Sequence, residues 1–286
     1  MTPTWIRLIS AAVLLATGSS AGEDWPRFRG PNGSGVSDTT GLPAEFGPAK
    51  NHLWKTAVPF GRSSPVIAGD RIFLTASEGE KLITMCLDRS SGRIRWRREI
   101  ARPRATPIYK LNDAASPSPV TDGKNVYAFF PDLGLVSFGP NGNERWRLPL
   151  GPFNTFYGLG ASPILAGDTL LLICDTRTNP FLIAVAAAGG RVRWRVERSE
   201  TRFEGFASPV IWKPKGRPAQ VIVLGANRID AYAVATGERL WWVRGLGSLP
   251  VGSPVLGQGV ALFTTWGTDA PEGPTFEEWL KSDSNG

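Results

Sequence analysis

The stretch Cys86–Trp96, "CLDRSSGRIRW", ends in a glycine, three residues and a tryptophan. Three later stretches end the same way: "GNERW" (Gly142–Trp146), "GRVRW" (Gly190–Trp194) and "GERLW" (Gly237–Trp241). The four glycines, 92, 142, 190 and 237, are spaced by 50, 48 and 47 residues. A second marker, Ser-Pro followed by an aliphatic residue, recurs at Ser64, Ser118, Ser162, Ser208 and Ser253. A third, a Gly- or Asp-containing turn before an apolar run ("AGDRIFL", "TDGKNVYAF", "AGDTLLL"), follows the Ser-Pro. Markers in fixed order at such a period define a supersecondary repeat of about four strands per unit.

The first repeat reads as four strands: "SSPVIA", "RIFLTAS", "LITMCLD" and "RIRWRREI", separated by the turns "GD", "EGEK" and "RSSG". Short apolar runs bounded by Gly, Asp and Asn recur throughout, and no long helical period appears before residue 274. Four-stranded antiparallel units in series predict an all-β fold, a β-propeller. Period-two alternation in "RIRWR" predicts Ile94 and Trp96 on one face and the arginines on the other, turned to water. That solvated edge is the reading preferred over an arginine–tryptophan nucleic-acid surface.

The chain has 286 residues, a net charge of +7, 11 tryptophans and two cysteines, Cys86 and Cys174. The cysteines lie in apolar runs of different repeats and are expected as buried free thiols. His52 is the single histidine, which removes multi-histidine zinc sites and leaves a loop residue as its preferred reading. Residues 1–21, with Arg7, an apolar stretch and Ser19 and Ala21 before the expected cleavage point, read as a signal peptide. An exported protein in the periplasm or outside the cell is therefore expected. The mature chain divides into an extended segment (22–53), the repeat region (54–267) and a polar tail (268–286).

The segments before each tryptophan resemble the tryptophan-docking motif of pyrroloquinoline-quinone (PQQ) type propellers: Ala-x-Asp-x-x-Thr-Gly-x-x-x-Trp. "CLDRSSGRIRW" keeps Asp88, Gly92 and Trp96. "VSFGPNGNERW" keeps only Gly142 and Trp146. "AVAAAGGRVRW" keeps Ala184, Gly190 and Trp194, and "AYAVATGERLW" keeps Ala231, Thr236, Gly237 and Trp241. The opening "DWPRFRGPNGSGVSDTTGLPAEF" resembles the start of secreted PQQ-like repeat proteins, and "NHLWKTAVP" resembles an outer strand with Trp54 in the docking position. Each glycine is expected at positive φ. Each tryptophan, able to bury up to ~250 Å², is expected to dock between blades. The resemblance implies seven or eight blades. Four complete repeats and a partial one are present, so an open fragment of a ring is expected.

Two functions are compatible with the resemblance. One is a non-catalytic exported scaffold that binds proteins or a small ligand, similar to propeller lipoproteins of outer-membrane assembly. The other is a dehydrogenase of alcohols or sugars, which would imply PQQ and calcium. Vicinal cysteines, which flank the quinone in such enzymes, are absent. The loops leading into each Ser-Pro would line the axial face and carry Arg62, Asn112, Asp113, Asn154, Tyr157, Arg202 and Glu204 as candidate binding residues. In the tail, Thr275 to Leu280 is expected to be helical. "DSNG" places Asp283 and Asn285 at the first and third positions of a partial EF-hand loop, with a plain polar tail as the alternative.

Overall fold

The computed structural model describes residues 23–199 and 203–265. The expected signal peptide, the tail helix, Arg202, Asp283 and Asn285 lie outside the described residues.

Four antiparallel sheets follow one another, each with its strands in chain order. Blade one holds β1 (Val66–Ala68), β2 (Arg71–Glu78), β3 (Lys81–Asp88) and β4 (Ile94–Ala101). Blade two holds β5 (Val120–Thr121), β6 (Val126–Phe130), β7 (Gly134–Phe138) and β8 (Glu144–Pro149). Blade three holds β9 (Ile164–Ala166), β10 (Thr169–Cys174), β11 (Phe181–Ala186) and β12 (Val192–Glu197). Blade four holds β13 (Val210–Trp212), β14 (Gln220–Gly225), β15 (Arg228–Ala233) and β16 (Arg239–Arg244). A hairpin of β17 (Val255–Gly257) and β18 (Val260–Leu262) follows. Among the described residues the only helical element is a single 3-10 turn at Pro31–Gly33.

The three largest core clusters lie between blades. Phe73 and Trp96 of blade one pack with Val126, Phe130 and Phe138 of blade two. Blades two and three share Tyr127, Phe129, Leu170 and Ile183, and blades three and four share Leu171, Leu182, Val221 and Tyr232. Middle strands are therefore buried on both faces: β6, β7, β10, β14 and β15 at every position. Cys86 and Cys174 are buried free thiols inside these layers. Burial raises the pKa of each, Cys86 to about 11.

The outer strands correct the face assignment. Cys86 pairs with Trp96 but Leu87 pairs with Ile94, so Arg95 is an extra residue in a β-bulge. Two residues that would share a face in a regular strand are thereby put on opposite faces. Trp96 is 7% exposed, whereas Ile94 is 43% exposed. The same shift occurs before Trp146, Trp194 and Trp241, with Arg145, Arg193 and Leu240 as the extra residues.

The arginines consequently do more than face water. Arg95 pairs with Asp70 and Asp88, and Arg193 pairs with Asp168. Arg98 shares the face of Trp96 and donates to Gly142 O at 2.7 Å and Asn141 O at 3.0 Å in the next blade. Arg145 likewise donates to Ala187 O and Ala188 O of blade three, at 3.3 and 3.1 Å.

Residues 52–58 belong to no ladder among the described residues. No described strand lies beside them to pair with, and a strand needs a partner to satisfy its backbone. Trp54 nevertheless lies over Gly92 and donates to Arg89 O at 2.9 Å.

Candidate functional site

Two devices join neighbouring blades. In the first, Trp96, Trp146 and Trp194 cover Gly142, Gly190 and Gly237, whose φ angles are 76°, 72° and 77°. A side-chain carbon at any of these glycines would lie 2.7 Å from the indole. Each indole N–H donates across the junction at 2.9 Å, to Pro140 O, Ala187 O and Val234 O respectively. Small residues oppose the rings: Cys86, Ser137, Ala184 and Ala231 pair with the four tryptophans in turn. In blade one, Asp88 Oδ1 shapes the glycine turn by accepting from the backbone N–H and hydroxyl groups of Ser90 and Ser91, at 2.6 to 3.0 Å.

The second device uses the Ser-Pro marker. The backbone N–H of Ser64 donates to Ser118 Oγ at 2.8 Å, Ser118 to Ser162 Oγ at 2.9 Å, and Ser162 to Ser208 Oγ at 2.9 Å. Ser208 continues the ladder to Ser253 Oγ at 3.2 Å. Each hydroxyl thus satisfies a backbone donor of the preceding blade, and the proline that follows has no N–H to leave unsatisfied.

Beside this ladder, the loops 102–119, 150–163 and 203–209 meet the turns that join the middle strands. Glu204 is almost fully buried and accepts from Phe156 N at 2.5 Å, Tyr157 N at 3.2 Å and Arg177 Nε at 3.0 Å. Asn112 donates to Tyr157 O at 2.7 Å, and its Oδ1 accepts from Asp113 N at 2.9 Å and from the Ser116 hydroxyl. Asp113 Oδ1 accepts from Ala115 N at 2.6 Å, while Oδ2 lies 3.8 Å from Arg62 Nε. Asn154 is exposed, and its carbonyl accepts from Arg177 N at 3.1 Å. Asn112, Tyr157 and Glu204 therefore form one connected network, Arg62 and Asp113 flank it, and Asn154 joins it through Arg177. Tyr109, Phe156, Tyr157 and Phe206 pack edge-on and stacked around it, with ring centroids 4.8 to 6.1 Å apart.

Sequence reasoning missed two features of this face. Arg198 is 1% exposed and is held by Asp175 at 2.8 Å and Asp230 at 2.9 Å, with the Tyr232 hydroxyl at 2.7 Å. Burial alone would lower its pKa, but the two carboxylates outweigh burial and hold it above the usual arginine value. Arg102 similarly pairs with buried Asp132 at 2.6 Å. The signal for both was an arginine just after an outer strand and an aspartate between the middle strands.

Each carboxylate on this face is thus engaged through at least one oxygen by backbone N–H or guanidinium groups. Among the described residues, no group of three or more His, Cys, Asp or Glu is placed to hold a metal ion. The acidic side chains of these loops brace the loops or a neighbouring blade, and Asp113 Oδ2 is buried without a hydrogen-bond partner.

The third missed feature is the course of the N-terminal segment. Trp25 exchanges two backbone hydrogen bonds with Ile67 of β1, at 2.9 and 2.8 Å. Pro26 O accepts from Thr121 N of β5 at 2.9 Å. Arg27 then reaches Pro209 O at 2.6 Å, and Asn32 exchanges side-chain hydrogen bonds with the backbone of Ile211 at 2.7 and 2.9 Å. The strap links the first strands of blades one, two and four, which border the axis. Its Gly30, at φ 66°, lies under the Trp25 ring.

A quinohemoprotein alcohol dehydrogenase from Comamonas testosteroni superposes with a TM-score of 0.58 at 13% identity, covering 82% of this chain and 43% of that one. The quinohemoprotein alcohol dehydrogenase ADHIIG from Pseudomonas putida HK5 gives a TM-score of 0.52 at 15% identity, over 65% of this chain and 34% of that one. BamB from Moraxella catarrhalis gives 0.47 at 16% identity, over 71% and 57%. At such identities the likeness is one of fold. The chain spans less than two thirds of the length of each. No curated protein sequence matches it. The profile of one sequence family matches residues 52–138 and 132–268, and by that match the chain belongs to the PQQ-like propellers described as outer membrane protein assembly factor BamB.

Proposed function

We propose that the protein is an exported, non-catalytic propeller whose loop face serves as a binding scaffold for protein partners in the periplasm. The observation that carries this reading is the use of Glu204. Its two oxygens accept from Phe156 N, Tyr157 N and Arg177, which leaves it as a clamp between loops. A catalytic carboxylate must instead keep an oxygen free to take a proton from substrate. Rigid loops on a braced face suit recognition of another macromolecule. The aromatic cluster around Phe156 and Tyr157 supplies the kind of side chain that anchors protein interfaces. Membership of a family described by an outer-membrane assembly factor points the same way. So does the signal peptide expected from residues 1–21.

The test is to add PQQ and calcium to the purified protein and follow dye-linked oxidation of alcohols and sugars alongside PQQ binding. Neither turnover nor stoichiometric binding is expected. Turnover or stoichiometric PQQ binding would overturn the reading.

A further inference from the structure

On the side of the axis crossed by the N-terminal strap, a cavity of about 490 Å³ opens between the first strands of blades two, three and four. Its wall combines Pro26 and Arg27 of the strap, Val120 and Thr121, Leu165 to Gly167, and Ile211 to Lys213. That volume is within the range of small-molecule sites. No acidic side chain lines it, while two cationic ones do.

Arg27 is 5% exposed and has no carboxylate partner among the described residues. One of its nitrogens, Nη2, donates to Pro209 O. Nε is buried without an acceptor. Elsewhere in the molecule buried guanidinium groups are matched by acids, as Arg198 is by Asp175 and Asp230. Lys213, at the rim, is exposed and makes no ion pair among the described residues. An unmatched buried cation is expensive, and an anion that enters the cavity removes the cost. The lowering of the Arg27 pKa to about 10 by burial has the same origin. Val120, Leu165, Ala166, Ile211 and the exposed edge of Trp212 make the remaining wall mostly apolar.

We infer that this cavity is a binding site for a small organic anion, a carboxylate on a compact apolar body, with Arg27 and Lys213 facing the charge and Trp212 and Leu165 the apolar part. It is separate from the loop network around Glu204 and does not depend on how that face functions.

Benzoate, its neutral analogue benzamide and inorganic phosphate serve as probes, titrated calorimetrically into the purified chain. Benzoate should bind with 1:1 stoichiometry, and benzamide and phosphate at least about tenfold more weakly, because each lacks either the charge or the apolar body. Lys213→Ala should weaken benzoate severalfold, and Ala166→Phe, which fills the cavity, should abolish binding. Arg27→Met should cost about tenfold or more. If Arg27→Met does not fold, the Lys213 and Ala166 variants still decide. Absence of benzoate binding to the unmodified protein, equal binding of benzamide, or unchanged binding in Ala166→Phe would each overturn the proposal.

Discussion

Trp146 and Trp241 occupy the same place in the second and fourth repeats, after the same glycine turn and the same β-bulge, yet their surroundings differ. Trp146 covers Gly190 and donates across the junction to Ala187 O at 2.9 Å. Trp241 donates back to Gln220 Oε1 of its own blade at 2.8 Å and packs edge-on against Trp212, with centroids 6.4 Å apart. An apolar groove of about 520 Å³, walled by Trp212, Trp241 and the β17–β18 hairpin, lies beside it. The motif is therefore half of an interface. Its own blade presents the ring, but the glycine turn that the ring covers belongs to the following blade.

The largest expected consequence is an asymmetry between the two tryptophans. Trp146→Ala should cost about 3 kcal/mol of stability in urea denaturation, because this partly buried ring closes a junction between two blades. Trp241→Ala should cost about 1 kcal/mol, because Trp241 lacks a glycine turn to cover among the described residues. Next, Gly190→Ala should cost about 3 kcal/mol, combining a left-handed φ of 72° with a carbon 2.7 Å from the Trp146 ring. Gly245 also has positive φ, at 83°, but no atom lies within 4 Å of where its side chain would be. Gly245→Ala should therefore show the backbone cost alone, about 1 kcal/mol.

The serine ladder provides a subtler form of the same contrast. Ser162→Ala strands the buried backbone N–H of Ser118 and should cost about 2 kcal/mol. Ser253→Ala breaks a longer bond, 3.2 Å, at a partly buried position, and should cost about half as much. Equal losses would mean that the ladder does not distinguish closed junctions from the terminal one.

The smallest effect is that of pH. Asp70 and Asp168 are held below the usual carboxylate range, first by their hydrogen bonds to Arg95 and Arg193. Asp88 is lowered by Ser90, then by Arg95 and Ser91. A depressed folded-state pKa adds stability that is full above the unfolded value, about 3.9, and is lost as pH falls through the folded value. Stability should therefore be flat from pH 7 to 5 as far as these groups are concerned, and fall below pH 4. Asp70 and Asp168 are exposed and Asp88 is partly so, so the effect should be small and fade in 1 M salt. Arg95→Gln should flatten the acid limb, which denaturation at pH 3 and pH 6 would reveal.

Much of the fold was legible because its signals are local. Turn residues, apolar runs and a recurring Ser-Pro set the strands of blade one nearly where they occur. The bulges were not legible, because a two-against-one count exists only when two strands are paired. Reading "RIRWR" as a regular strand therefore put Ile94 beside Trp96. The site was less legible still. Asn112, Asp113, Tyr157 and Glu204 were identifiable as loop residues, but their partners come from other blades, at separations of 45 to 48 residues for Asn112 to Tyr157 and Glu204 to Phe156 and Tyr157. The strap was hidden for the same reason: Asn32 and Ile211, which it joins, are 179 residues apart.

The central claim, that each tryptophan works only with the glycine of the next blade, is tested most directly by a double-mutant cycle. Gly190→Ala and Trp146→Ala should be measured singly and together in urea denaturation. With the ring gone, the carbon added at residue 190 has nothing to strike. The pair should therefore lose less than the sum of the singles, with a coupling of about 1–2 kcal/mol, while Gly190→Ala and Trp241→Ala should simply add. Additive losses for Gly190 and Trp146 would contradict the account.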